Sequence, residues 1–248
     1  MRAALRNRLV VSPLLVLVTI AVLKLWVDSK QLDSIAQRSL TSAALRDAIS
    51  QHAKLCAVGI GITLAIALPL GVLLTRPGWR LLIPVALGVA NVGQATPAIG
   101  VLALLVILSG IGFKVAVISL VAYCVLPILR NTIAGIEGVD PQLLDAARGQ
   151  GMSRRQVLWN VELPLAVPVM LAGVRTALVF AVGVATLATF VNAGGLGDLI
   201  VAGIKTQRET VMVTGAAVTA CFALTVDWLA EIAERVLTPR GITSESAL

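Results

Sequence analysis

The sequence predicts an all-α integral membrane protein with about six transmembrane helices, and three observations carry that prediction. Hydrophobic residues make up 58% of the chain and charged residues 13%, with a mean hydropathy of +0.94. Soluble domains hold roughly 45–50% apolar and about 25% charged residues, so the excess is too large for a soluble core. Charge-free runs recur along the chain at about 20 residues, the length that crosses a ~30 Å hydrocarbon core as a helix. Finally, arginine is concentrated in alternate connecting segments, the bias that orients a multi-span protein.

The elements follow in order. Arg2, Arg6 and Arg8 precede an apolar run from Leu9 to Leu23. It reads as a retained first span and not a cleaved signal peptide, because no small-x-small site follows Leu23 and Lys24 and Trp26 suit an interfacial end. Asp28 to Lys54 is a polar outer linker ending in a short surface helix after Thr41. Leu55 to Leu74 is the second span, loosened at its inner end by Pro69 and Gly71, and the turn from Thr75 to Arg80 follows.

Leu81 to Gly110 carries no charge and is longer than one crossing needs. Asn91, Gln94, Thr96 and Pro97 interrupt its middle, and Pro97 lacks the donor for the carbonyl of Gly93, which predicts a kink. Val115 to Leu129 is the next span, bent by Pro127 and closed by Arg130 and Asn131. Leu165 to Phe190 spans again with Arg175 inside it. Val191-Asn-Ala-Gly-Gly-Leu-Gly-Asp198 is a glycine-rich outer turn that includes Asn192; it is either a simple turn or a gate or docking surface. Leu199 to Glu209 is amphipathic, and Thr210 to Val226 is the last span, followed by Arg235 and Arg240.

With the N-terminus inside, the cytoplasm receives Arg2, Arg6, Arg8, Arg76, Arg80, Arg130, Arg148, Arg154, Arg155, Arg235 and Arg240. The outside receives Lys30, Arg38, Arg46, Lys54, Lys114, Lys205 and Arg208. The formal charge of +7 therefore reads as loop arginines facing anionic lipid and the cytoplasm, and no nucleic-acid-binding pattern is present. Cys56, Cys124 and Cys221 lie in apolar segments and read as inert buried thiols. His52, the single histidine, has no ligand partner nearby; it reads as a solvated interfacial residue, with no metal site. No Ser-His-Asp set, paired carboxylates or phosphate-binding loop can be assembled, which argues against a membrane-embedded enzyme.

The one long polar segment of the C-terminal half runs from Asp140 to Pro164. Asp140 before Pro141 is an N-cap followed by proline at the first helical position. Pro141 to Arg148 is then a helix, ended by Gly149 and Gly151 through the left-handed conformation that glycine adopts at little cost. Ser153 and Gln156 form a capping box that starts a second helix toward Pro164, and Pro164 and Pro168 mark the entry to the next apolar run.

Asp145-Ala146-Ala147, then Gly151, then Val161-Glu162-Leu163-Pro164 resembles the cytoplasmic loop of ABC-importer permeases. That loop carries Glu-Ala-Ala, three residues, Gly, nine residues and Ile-x-Leu-Pro; Asp for Glu and Val for Ile are the departures here. The stretches Gly93–Ala98, Leu126–Asn131 and Phe190–Asp198 resemble the osmoprotectant branch that handles glycine betaine, choline and carnitine, although Ala95 replaces a threonine of that pattern.

The resemblance implies a type I ABC importer permease fold with cytoplasmic coupling helices in a bacterial cell membrane, both termini cytoplasmic. It implies an ATPase-coupling set of Asp145, Ala146, Ala147, Gly151, Val161, Leu163 and Pro164. The implied partners are ABC ATPase subunits that hold ATP and magnesium, a second permease subunit, identical or paralogous, and an extracytoplasmic substrate-binding protein. The chain itself binds no cofactor and hydrolyses no ATP on this reading. Residues 1–50 form an extra span and linker, 51–235 the permease domain and 236–248 a cytoplasmic tail.

Polar residues within spans are costly and mark pathways or helix contacts. Gln94, Thr96, Pro97, Asn131, Arg175 and Asn192 are the pathway candidates. For Gln94 and Thr96 helix–helix hydrogen bonding is an equal alternative. Arg175 lies roughly 16 Å along a helix from Pro164, too deep for easy snorkelling, so it points into the bundle or the subunit contact, where a carboxylate or helix carbonyls can pair with it; a purely structural role is as open as substrate contact. Another small solute such as an amino acid is the alternative cargo, and an ion-coupled secondary transporter the competing class; the latter usually shows more mid-membrane ionisable residues and internal repeats.

Overall fold

The computed structural model describes residues 2–238, with side chains from residue 9 onward. The side chains of Arg2, Arg6, Arg8 and Arg240, and the tail from residue 239, lie outside the described residues. Eleven α-helices are described: α1 (Arg2–Asp28), α2 (Ser34–Ser39), α3 (Ser42–Leu74), α4 (Ile83–Ala95), α5 (Ala98–Ser109), α6 (Phe113–Glu137), α7 (Pro141–Gly149), α8 (Arg154–Val157), α9 (Leu163–Thr186), α10 (Leu196–Lys205) and α11 (Glu209–Leu237). Five helical segments are long and apolar enough to cross a membrane, and α4 with α5 makes a sixth if that bent pair is one span.

α6 is the most buried span and forms the centre. α3 and α9 pack along it, and Leu55, Leu74, Leu120, Ile128 and Leu129 are among the largest fully buried side chains. Cys56, Cys124 and Cys221 are free and buried, as their apolar setting predicts. α1 lies against α11, where Trp228 donates its indole N–H to the Leu9 carbonyl at 3.0 Å. The broken pair α4–α5 leans on the other side of the bundle, against α6.

Three sequence expectations change here. First, the linker's surface helix and the second span are one 33-residue helix, α3. Thr41 caps it by accepting from the Ala44 N–H at 3.2 Å, and Pro69 sits inside it without ending it. Second, His52 is fully buried and not solvated. The continuous α3 turns it inward, where it stacks edge-on to Phe222 at 5.3 Å and its Nδ1 accepts from the Leu196 N–H at 3.4 Å. Beside it Gln51 Oε1 accepts from the Gly195 N–H at 3.1 Å, so α3 holds the start of α10 and with it the glycine-rich turn.

Third, Pro97 produces a break, not a kink: α4 and α5 meet at 97°. Thr96 is extended (φ −70°, ψ 136°), the conformation imposed on a residue before proline. A carbonyl released by the break finds a partner. The Tyr123 hydroxyl of α6 donates to the Thr96 carbonyl, while the Val92 carbonyl keeps the Thr96 N–H at 3.1 Å and accepts Thr96 Oγ1 as well at 2.7 Å.

At the far end of the bundle from the α6–α9 connection, Arg208 pairs with Asp33, the N-cap of α2. The Arg208 guanidinium, followed by the Ala36 N–H, holds the Asp33 carboxyl below its ordinary range.

Candidate functional site

The segment between α6 and α9 is built by local rules. Asp140 Oδ1 accepts from the Gln142 N–H at 2.8 Å, capping α7 with Pro141 at the first position. At the other end the Met152 N–H reaches the Ala147 carbonyl (3.2 Å) and the Gly151 N–H reaches that of Arg148 (2.9 Å). This is a Schellman closure, and it needs Gly151 at φ +85°. Gly149 is the last helical residue and has no positive φ, so Gly151 alone makes the break. The capping box then forms in full: Gln156 N–H to Ser153 Oγ at 3.4 Å, Ser153 N–H to Gln156 Oε1 at 2.8 Å.

α8 does not stop at Pro164. Leu158–Glu162 is a π turn that carries the chain straight into α9. Proline lacks a donor for residue i−4 and crowds that carbonyl; widening the turn before Pro164 accommodates both effects without ending the helix. α9 is therefore mechanically continuous with the segment.

The coupling residues divide between two faces. Asp145, Ala146 and Gly151 are exposed, along with the large apolar side chains Leu143 and Trp159. Ala147 and Val157 are buried and hold α7 and α8 to the protein, while Val161, Leu163 and Pro164 are half-buried at the root of α9. Asp145 pairs with Arg148 at 3.0 Å but stays largely open to solvent. A cavity of about 810 Å³ lies between this segment and the α3–α4 turn, lined among others by Arg76, Arg80, Glu137, Arg148, Arg154 and Glu162.

The pathway candidates are not brought together as one group. Gln94, Thr96 and Pro97 gather at the α4–α5 break, facing Tyr123. Pro127 leaves the Tyr123 carbonyl without its helical donor, and Gln94 Nε2 approaches that oxygen at 3.5 Å. Asn131, one turn along α6, donates from Nδ2 to the Pro127 carbonyl at 2.8 Å, and Gly173 of α9 packs directly on both. Arg175 faces α11, where it is bidentate to Asp227 (2.5 and 2.7 Å), with Glu231 at 3.3 Å and Glu234 at 3.8 Å. Asn192 is exposed and left-handed (φ 55°, ψ 38°), closing the turn that ends the 3₁₀ segment Leu187–Val191.

Sequence reasoning missed the partners of Arg175. Ending the last span at Val226 leaves Asp227, Glu231 and Glu234 beyond the span, whereas α11 runs to Leu237. Their i, i+4, i+7 spacing puts them on one helix face and was the available signal. Tyr123, and the pairing of Arg76 with Glu162, left no signal of that kind.

Residues 67–240 match the family described as the binding-protein-dependent transport system inner membrane component. The chain belongs to that family. This permease is 38% identical over 192 residues to the choline transport system permease protein OpuBB of Bacillus subtilis, covering 77% of this chain and 88% of that one. It is 42% identical over 194 residues to the carnitine transport permease protein OpuCD of Listeria monocytogenes, with 76% and 84% covered. It is 40% identical over 197 residues to the osmoprotectant import permease protein OsmW of Salmonella typhimurium, with 77% and 91% covered.

Among solved structures, the MetNI methionine ABC transporter in an inward-facing conformation aligns with a TM-score of 0.68 at 24% identity, over 79% of this chain and 96% of that one. That likeness establishes the fold as the ABC-importer permease fold. The chain is thus a multi-pass transport subunit of an ABC importer, and ATP hydrolysis belongs to a separate partner chain.

Proposed function

We propose that this permease carries quaternary-amine osmoprotectants such as glycine betaine, choline and carnitine across the bacterial cell membrane by alternating access. The observation that carries the substrate class is the set of relatives at 36–42% identity whose names specify choline, carnitine or glycine betaine. Two permease subunits, identical or paralogous, enclose one path around Gln94, Thr96, Pro97 and Asn131. Two ATPase subunits, holding ATP and magnesium, dock on the exposed face of α7 and α8, and an extracytoplasmic binding protein delivers the solute at the opposite face. Each ligand biases a two-state equilibrium by its differential affinity for the two states. The permease domain is residues 51–235, preceded by an extra span and followed by a short cytoplasmic tail.

The chemistry of the path suits this cargo. Its candidate residues are polar but uncharged, and Arg175 is occupied by the carboxylates of α11. A path of this kind binds weakly and can release what it receives. High-affinity recognition then belongs to the binding protein, where aromatic faces attract an ammonium by cation–π interaction. This chain has four Phe, four Trp and one Tyr, scattered along its length, too sparse for such a cage. The test is uptake by vesicles carrying permease, ATPase and binding protein, supplied with labelled glycine betaine, choline, carnitine, methionine or a dipeptide. ATP-dependent uptake of the first three is expected. Uptake of only the last two overturns the substrate class, and uptake driven by an ion gradient without ATP overturns the importer reading.

For orientation, both termini and α7–α8 are placed in the cytoplasm. The arginine bias supports this, and because the Asp33–Arg208 pair and the α7–α8 segment lie at opposite ends of the bundle, one test on each end reads the orientation. In intact cells Ser34→Cys is expected to react with a membrane-impermeant thiol reagent and Ser153→Cys is not. The reverse pattern inverts the topology.

A further inference from the structure

The α7–α8 segment hangs between α6 and α9, to which it is joined covalently. α3 and the broken α4–α5 pair have no such connection to it. Two ion pairs supply one. Arg76 and Arg80, both in the turn between α3 and α4, reach Glu162 at 2.5 Å and Glu137 at 2.8 Å. Glu137 is the last residue of α6 and Glu162 the last of the π turn before α9, so one short turn grips both roots of the segment.

The two grips are unequal. Glu162 is 8% exposed, and Arg76 is locked beside it: its Nε donates to the Val72 carbonyl (3.2 Å) and its Nη2 to Thr75 Oγ1 (2.9 Å). Thr75 is itself fixed by its hydroxyl donating to Val72 at 2.8 Å. The Arg80 and Glu137 side chains are 61% and 37% exposed, a pairing that water screens. The cavity of about 810 Å³ between turn and segment is lined by both pairs, so long side chains span a gap there.

We propose that Arg76, through Glu162, is a positioning residue for energy coupling: it transmits displacement of the ATPase-docking segment to α3, and through α3 to the α4–α5 break. The proposal rests on the reading of α7–α8 as the docking element. Without the pair, α3 and the Gln94–Pro97 region follow the segment only through their side-chain packing on α6, and the turn between α3 and α4 loses its direct hold on the segment. ATP is then hydrolysed without productive opening of the path. Arg80 and Glu137 guide the same motion weakly.

The experiment uses the assembled permease, ATPase and binding protein in vesicles, at equal amounts of complex, and reads ATP hydrolysed per glycine betaine taken up. Arg76→Gln and Glu162→Gln are each expected to reduce uptake about tenfold, within the span of ordinary coupling energies, with hydrolysis retained, so the ratio rises. The exchanged pair Arg76→Glu with Glu162→Arg restores most of the coupling, and Arg80→Gln changes the ratio little. Wild-type ratios in both single variants overturn the inference. So does a parallel fall of hydrolysis and uptake, or failure of both single variants to assemble when the exchanged pair assembles, since either makes the contact structural only. A wild-type complex that takes up none of the solutes defeats the functional proposal instead, and a transporting wild type beside equally coupled variants defeats this inference alone.

Discussion

Replacing Gly151 with leucine removes coupled uptake while leaving the permease in the membrane. Gly151 sits at φ +85°, and a β-carbon built there meets nothing within 4 Å. The penalty is therefore conformational and not steric: an L-residue held left-handed costs roughly 1–2 kcal/mol. The segment relieves it by leaving the left-handed state, which undoes the Schellman bonds from Met152 to Ala147 and from Gly151 to Arg148. α7 then turns relative to α8, and the exposed side chains Asp145 and Ala146 on α7 and Trp159 on the π turn no longer keep the relative placement the ATPase meets. Uptake is expected to fall about tenfold or more, since small misplacements of positioned groups have effects of that size. Gly151→Asn keeps most of the activity, because asparagine tolerates the left-handed region. The check is ATP-driven uptake normalised to permease in the membrane; normal uptake by the leucine variant would remove the docking geometry.

The second large effect lies at the contact of α6 with α9. A β-carbon on Gly173 would stand 2.5 Å from Asn131 Cβ and 2.6 Å from the Pro127 carbonyl oxygen. Neither is the far end of a flexible side chain, and that carbonyl already accepts from Asn131 Nδ2 at 2.8 Å. Gly173→Ala therefore forces the two helices apart. Overpacking of this kind costs about 1–3 kcal/mol, more than the ~1 kcal/mol that alanine gains in helix propensity. Gly183, on the same helix, has nothing within 4 Å of its β-carbon position, so Gly183→Ala realises only the gain. In detergent, Gly173→Ala is expected to lower the melting temperature by several degrees and Gly183→Ala to hold or raise it; at this chain length ~1 kcal/mol moves it by about 2–4 °C. Equal melting of both variants would mean that α6 and α9 are not in this contact. Because α9 is continuous with α8, the same variant is expected to impair coupling as well as stability.

The features legible in the sequence share one property: they depend on residues within a few positions of one another. The Asp140 cap with Pro141, the Gly151 break and the Ser153–Gln156 box each close within two to five residues, and each forms as expected. Charge-free runs set the spans, because an apolar stretch of that length has one low-energy environment. The family motif lies in that same local segment.

What the tertiary structure alone decided lies at long range. Arg76 and Glu162 are 86 positions apart, Arg175 and Asp227 are 52, and Gln51 and Gly195 are 144. Such pairings depend on the register and rotation of one helix against another, which packing of whole faces determines and no local pattern encodes. His52 shows the same limit: its neighbours in sequence are polar, and only the continuous α3 and the placement of Phe222 and Leu196 bury it. At Pro97 the sequence by itself determined that the helical bond to Gly93 is lost, since proline has no N–H to donate, which predicts a kink. Pro69, Pro127 and Pro168 lie inside continuous helices, so the full break needed more than the proline. The 97° bend was decided by what α6 offers there, the Tyr123 hydroxyl for the Thr96 carbonyl and the freed Tyr123 carbonyl for Gln94. A local rule can state that a backbone group is left without its partner; only the packed bundle supplies the partner, and with it the direction the chain takes.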